Sequence, residues 1–169
     1  MQKNINRIVF GILIILNCAL IFWFSNQIAD NSSAQSSRIV DFISNILPAI
    51  RDMGEQDKTI LKQEILTPIV RKMAHFSIYT MLGMFTMNYT NTYRKDKLYP
   101  EAIKALIFCI CYSISDEIHQ MFIPGRSGEI RDVLIDTSGA LLGITFTIVI
   151  VKIILKIKQK NRKENVSKN

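Results

Sequence analysis

At 169 residues the chain has room for one domain, and its 49% apolar content gathers into four long runs separated by polar, charged stretches. A soluble helical domain spreads its apolar residues at helical period, so uninterrupted runs of this kind describe helices in a bilayer. The net charge of +7 does not point to nucleic acid: the basic residues from Lys152 to Lys163 follow the last apolar run, as a membrane stop and inner-leaflet contact do. Cys18, Cys109 and Cys111 lie inside apolar runs without metal-ligand spacing and read as packing residues.

The first run covers residues 8–24 and follows Lys3 and Arg7. It is long for a signal-peptide core and no small-x-small cleavage site follows, so it reads as a signal anchor with its N-terminus inside. Residues 26–67 read as a polar outer loop with amphipathic content. Ile39, Phe42, Ile43, Ile46, Leu47 and Ile50 recur at helical spacing, which predicts a helix lying on the membrane surface or capping the bundle. Ile60, Leu61, Ile65 and Leu66 repeat the pattern more weakly beyond Gly54. The second span, 68–89, opens on Thr67 as N-cap and Pro68 at the first helical position, with Arg71, Lys72 and His75 in its first two turns. A basic stretch, Tyr93 to Lys97, leads to a third span at 102–122. Pro124-Gly125 suits the centre of a type II turn, and a fourth span, 132–151, ends in a basic tail, 152–169. The predicted fold is therefore all-α: one polytopic membrane domain over residues 1–169, with four transmembrane helices and an amphipathic outer loop. Short Lys/Arg-rich segments at the N-terminus, at 91–101 and in the tail place both termini in the cytoplasm of a multi-pass cell-membrane protein.

Ionisable groups crowd the outward ends of spans two to four. A charge costs about 2.5–3.5 kcal/mol at the centre of a membrane helix, and even near an interface such groups tend to face each other or a wet cavity. At roughly 100° per residue, Ser113, Asp116, Glu117 and Gln120 share one side of the third span, with His119 set apart. Asp132 and Asp136 share a face of the fourth span with Gly139 and Gly143, a small-xxx-small pair that lets a neighbouring helix approach. Lys72, His75 and Tyr79 form a stripe on the second span. These groups either glue three helices together as ion pairs or line an outward-facing polar pocket made by Lys72, His75, Tyr79, Asp116, Glu117, Gln120, Arg126, Asp132 and Asp136. His75, Asp116, His119 and Asp132 are metal-ligand types, but their spacing matches no metal motif, and neither a metal nor another cofactor is expected. Ser113, Ser115 and Ser127 lack a nucleophile elbow. The turn 124–128 either holds an anion on its backbone N–H groups and on Arg126 and Arg131, or those arginines pair with Asp132, Glu129 and lipid phosphates.

Three blocks resemble the VanZ-like family of membrane proteins: Arg71-Lys72-Met73-Ala74-His75-Phe76 with Tyr79 and Leu82-Gly83; Ser115 to Arg126, reading SDEIHQMFIPGR; and Asp132 to Ala140. Phe24-Ser25-Asn26-Gln27 also looks like that family's first outer loop, so the resemblance covers roughly residues 10 to 150. Two positions depart from the family's common pattern: Ile78 stands where Glu is frequent and Asp136 where Asn is frequent. The resemblance implies a cell-envelope protein of a Gram-positive-type bacterium that lowers susceptibility to teicoplanin-type lipoglycopeptides, and implies no intrinsic chemistry. Its expected partners are the bilayer and an anionic lipid head group or envelope precursor at the outer face. A membrane-embedded enzyme acting on a lipid-linked envelope precursor, with Asp116 or Glu117 as base and Arg126 on a phosphate, is the alternative, and a ligand-free assembly partner is a third.

Overall fold

The computed structural model describes residues 2–27, 29–92 and 98–167, and the basic stretch Tyr93 to Lys97 lies outside them. Among the described residues the fold is helical throughout. Helix α1 spans Gln2–Ser25, α2 Ala29–Ile46, α3 Pro48–Arg51, α4 Glu55–Ile60, α5 Thr67–Asn91, α6 Leu98–Gln120 and α7 Ile130–Ser167. A π-helical segment, Leu61–Leu66, joins α4 to α5. The expected polar loop is thus itself mostly helix.

Three helices are long and apolar enough to cross a membrane, over Asn4–Ser25, Leu98–Gln120 and Ile130–Asn161. Helix α5, the expected second span, is not among them. Its 25 residues would reach about 37 Å, ample for a hydrocarbon core of about 30 Å. What it lacks is apolar character, because Arg71, Lys72, His75, Ser77, Thr80, Thr86, Asn88, Thr90 and Asn91 interrupt it. The packing supplies a physical reason: α5 contacts α1, α2, α6, α7 and the π segment, so it is the helix the others surround. A surrounded helix satisfies its polar side chains on its own backbone, as the hydroxyls of Ser77 and Thr80 and the amide of Asn88 do by donating to carbonyls four residues back.

The whole distribution is inverted relative to a water-soluble bundle. Asn17, Ser25, Ser113, Asp116, Glu117, Gln120, Asp136 and Thr147 are buried, while Ile8, Ile15, Leu16, Phe22, Trp23, Ile107, Ile118, Leu141 and Phe146 are exposed. Buried polar groups with apolar groups outside suit a hydrocarbon surround. Helix α2 follows the same rule. Ser36, Val40 and Ser44 are buried, and α2 packs against α5. Phe42, Ile43 and Ile46 are left exposed and face away from the bundle, while Ile39, also exposed, borders the space between α1, α2 and α5.

Thr67 is not an N-cap. Its backbone is α-helical (φ −62°, ψ −47°), and its hydroxyl donates to the Lys62 carbonyl at 2.8 Å instead of accepting from a helix N–H. Pro68 brings no N–H and its ring crowds the carbonyl four residues earlier, and the wider π turn before it relieves that clash while the helical path continues. The helical path that leads into Lys72 and His75 therefore begins at Glu55, through α4 and the π segment, well before the proline.

Helices α5 and α7 make the most extensive contact, and glycine makes it possible. A Cβ on Gly143 would sit 2.9 Å from Met84 N and closer still to the Thr80 carbonyl oxygen; one on Gly139 would meet the Phe76 carbonyl, and one on Gly83 the Ala140 carbonyl. Backbone thus lies on backbone along this seam. The apolar core beneath the polar cluster consists of Ile21, Tyr79, Leu82, Cys109 and Ala140, with Ile78 packed against it. Cys109 is buried and Cys111 exposed, as two positions on different sides of one helix.

The bundle ends differ in chemistry. Ser25, Lys72, Asp116 and Asp132 meet at one end. At the other, the Arg7 guanidinium lies 5.9 Å from the Tyr89 ring centroid and the Lys152 ammonium 5.9 Å from that of Tyr99. Helix α7 runs 38 residues, about 57 Å, so the basic tail is the extension of this helix beyond any bilayer.

Candidate functional site

The polar end is assembled from the last turn of α1, the first turns of α5, the last turns of α6, the loop 121–129 and the first turns of α7. Chain order dictates this convergence: alternate helices run up and down, so the end of α1 and α6 meets the start of α5 and α7. The loop turns sharply at Pro124-Gly125. Gly125 has φ 76° and Arg126 N donates to Ile123 O at 3.1 Å, the type II geometry expected there.

Three hydrogen-bonded groups result. In the first, Asp116 Oδ2 accepts from Ser25 Oγ at 2.9 Å and from Gln120 Nε2 at 3.2 Å. Gln120 Nε2 also donates to Glu117 Oε1 at 3.3 Å, and Gln120 Oε1 accepts from Arg126 Nη1 at 3.0 Å. Arg126 Nη2 donates to the Phe24 carbonyl at 3.2 Å, tying the loop to the end of α1. Glu117 Oε2 accepts from the Glu129 backbone N–H at 2.9 Å, so Glu117 acts as an anchor for the loop. In the second, Lys72 Nζ donates to Asp132 Oδ1 at 2.6 Å and lies 3.5 Å from Glu129 Oε2. Deeper, Ser113 Oγ donates to Asp136 Oδ2 at 3.2 Å, and His75 Nδ1 stands 3.8 Å from Asp136 Oδ1.

A cavity of about 80 Å³ opens between these groups, lined chiefly by Arg71, Lys72, His75, Gln120, Arg126 and Asp132, with Asp136 at its base. Lys72, His75, Gln120, Arg126, Asp132 and Asp136 are thus brought together at one surface. Tyr79, Asp116 and Glu117 are not on that surface: Asp116 lies behind it with Ser25, Glu117 holds the loop, and Tyr79 is fully buried in the apolar core with its ring 6.4 Å from that of Tyr112. His119 turns aside to stack on Phe22 at 4.8 Å between ring centroids. The sequence reading missed the roles of Ser25, Arg71 and Glu129. Ser25 stands just past the first apolar run, in the Phe24-Ser25-Asn26-Gln27 block, and nothing local marks it as a partner of Asp116.

Of the two alternatives for Arg126, the pairing with Asp132 does not occur, because Asp132 is taken by Lys72 from the facing helix. Among the described residues, neither Arg126 nor Arg71 has a carboxylate within 4.0 Å. Burial, and then the nearby Arg71 charge, push the Arg126 pKa down from its ordinary value, and its Nε is buried without a hydrogen-bond partner. A guanidinium stays charged under such pressure, so its field is left for another anion. The loop itself offers less than expected, since the Arg126 and Glu129 N–H groups are already used internally.

A second, apolar cavity of about 190 Å³ lies between α1, α2 and α5, lined mainly by Ile21, Phe24, Ile39, Val70, Ala74 and Ile78. Arg71 and His75 line both cavities, so the polar and apolar spaces meet at these two side chains.

Among the described residues, helices throughout, three of them long and apolar enough to cross a membrane, with a buried polar cluster at one end, mark the chain as a helical membrane protein. The VanZ/LLP1 family model matches residues 10–154, and the chain belongs to that family. No curated protein and no solved structure matches it.

Proposed function

We propose that this protein binds the anionic head and the acyl chain of an amphiphile at the outer face of the cell membrane, and thereby lowers susceptibility to teicoplanin-type lipoglycopeptides. One observation carries the reading: a polar and an apolar cavity meet at Arg71 and His75, and neither Arg71 nor Arg126 has a carboxylate partner among the described residues. A ligand with a phosphate or carboxylate beside an apolar chain satisfies both spaces at once. In this reading α5 is a fourth span enclosed by the other three, and both termini are cytoplasmic. Helix α2 lies at the outer interface with Ile39, Phe42, Ile43 and Ile46 in the acyl region.

The test is protection of a susceptible Gram-positive host. Expression should raise the inhibitory concentration of a lipoglycopeptide more than that of a glycopeptide without the acyl chain. Arg71→Gln and Arg126→Gln should abolish this at unchanged membrane abundance, and Ile78→Trp, which fills the apolar cavity, should reduce it. Equal protection by all three variants would remove the amphiphile site.

A second reading, an enzyme acting on a lipid-linked envelope precursor, is favoured by the imidazole and carboxylates of His75, Asp116 and Asp136 gathered beside the same cavity. Mass spectrometry of envelope lipids with and without the protein separates the two. A new lipid product that disappears with Asp136→Asn would establish catalysis.

A further inference from the structure

We infer that His75, Asp116 and Asp136 form a binding site for a divalent first-row transition ion of the Zn²⁺ or Mn²⁺ kind at the base of the polar cavity. The three residues come from three different helices, α5, α6 and α7. One ligand atom from each lies within 4.8 Å of the others. Tetrahedral ligands about 2.1 Å from an ion are roughly 3.4 Å apart, so small side-chain rotations bring this trio into coordination.

Distance alone does not make a site, and two further observations point to an ion. The first is an orphaned oxygen. Asp136 is 0% exposed, yet its Oδ1 has no hydrogen-bond donor. The nearest basic group, His75 Nδ1, stands at 3.8 Å, beyond hydrogen-bonding reach. A buried carboxylate oxygen without a donor is costly, and a second buried carboxylate in the same trio makes the position worse.

The second observation is how the two carboxylates are held. Asp136 accepts Ser113 on Oδ2, and Asp116 accepts both Ser25 and Gln120 on Oδ2. Each is thus oriented through one oxygen by neutral hydroxyl or amide donors, which leaves Oδ1 of each for a ligand. Metal-binding carboxylates are commonly supported in this way. Two carboxylates and a neutral imidazole carry −2, which a divalent ion cancels within the bundle. Imidazole with carboxylate oxygen suits Zn²⁺ and Mn²⁺ better than Mg²⁺ or Ca²⁺, which favour all-oxygen shells. His75 and Asp136 also line the polar cavity, which provides an entry path and an open coordination position.

The sequence offers His75 and Asp116 as metal-ligand types but not Asp136 as their partner, because the three lie 20 to 61 positions apart and sit on no shared motif. His119, three residues from Asp116, looks the better partner on the sequence, but its ring is turned onto Phe22.

The inference does not depend on antibiotic protection, and its test does not use it. The full chain is purified in detergent with a histidine-free tag, stripped with a chelator, and titrated separately with ZnCl₂ and MnCl₂. Bound metal is counted by mass spectrometry after gel filtration. We expect about one ion per chain at micromolar metal for at least one of the two. Asp136→Asn and His75→Gln should weaken binding 100-fold or more, while His119→Gln, away from the trio, should bind as the parent does. Asp136→Asn is near-isosteric, and its gel-filtration profile and helical circular dichroism report folding. Should it fail to fold, Ser113→Ala provides the second arm, because loss of the donor that orients Asp136 should weaken binding about 10-fold. Absence of stoichiometric binding by the parent overturns the site and leaves the carboxylates sharing a proton. Binding that survives Asp136→Asn and His75→Gln also overturns it and assigns the metal to the cysteines or the surface.

Discussion

Gly143→Ala measures how tightly the α5–α7 seam is closed. The new methyl would lie 2.9 Å from Met84 N and 3.0 Å from the Thr80 carbonyl carbon, with the carbonyl oxygen nearer still. Non-bonded heavy atoms need about 3.5 Å, so the two helices must part by roughly an ångström. The obstacle is backbone, which cannot rotate away as a side chain does. Overpacking of this kind costs about 1–3 kcal/mol, and the better helix propensity of alanine returns up to about 1 kcal/mol, leaving a net loss of about 1–2 kcal/mol. That changes the folded-to-unfolded ratio about 5- to 30-fold. The assay is reversible unfolding in mixed micelles, read by fluorescence of the single tryptophan, Trp23. Gly83→Ala should behave alike, since its methyl would meet Ala140 C and Cα at 2.9 Å. Gly11→Ala is the contrast: its methyl would rest 3.6 Å from the Tyr89 ring, ordinary contact, and should be neutral or slightly stabilising. If Gly143→Ala matches the parent, or Gly11→Ala is equally damaging, the reasoning from backbone contact is wrong.

Orientation is open to direct labelling: with the native cysteines replaced, single cysteines at Ser33 and Ser127 should react with a membrane-impermeant thiol reagent on whole cells, and one at Asn161 should not. Labelling at Asn161 in intact cells would turn the molecule over and put the polar cavity in the cytoplasm. Lys72 and Asp132, at 2.6 Å with side chains 29% and 26% exposed, should show a coupling of about 0.5–3 kcal/mol in a double-mutant cycle on unfolding. No such coupling is expected between Arg126 and Asp132; finding one of equal size would contradict the partner assignment.

The run of apolar residues, the turn at Pro124-Gly125 and the glycine spacing of α7 were legible because each depends on local chemistry: hydropathy over a bilayer's thickness, a positive φ, a missing side chain. So was the gathering of polar residues at one end, since helices that alternate in direction bring the ends of α1 and α6 to the starts of α5 and α7. Which polar groups pair was not legible. Asp132 is reached by Lys72 from 60 positions away, although Arg126 is only six away, because the helices fix the first distance and the short loop draws Arg126 back toward Phe24. The rank of α5 was likewise hidden: its sequence is the least lipid-like of the four long helices, and only its place among the others explains why it can afford Arg71, Lys72 and His75. The trio of His75, Asp116 and Asp136 is tertiary in the same sense. Each residue is set by its own helix, but the gap between His75 and Asp136 is set by how closely Gly83, Gly139 and Gly143 let α5 and α7 approach.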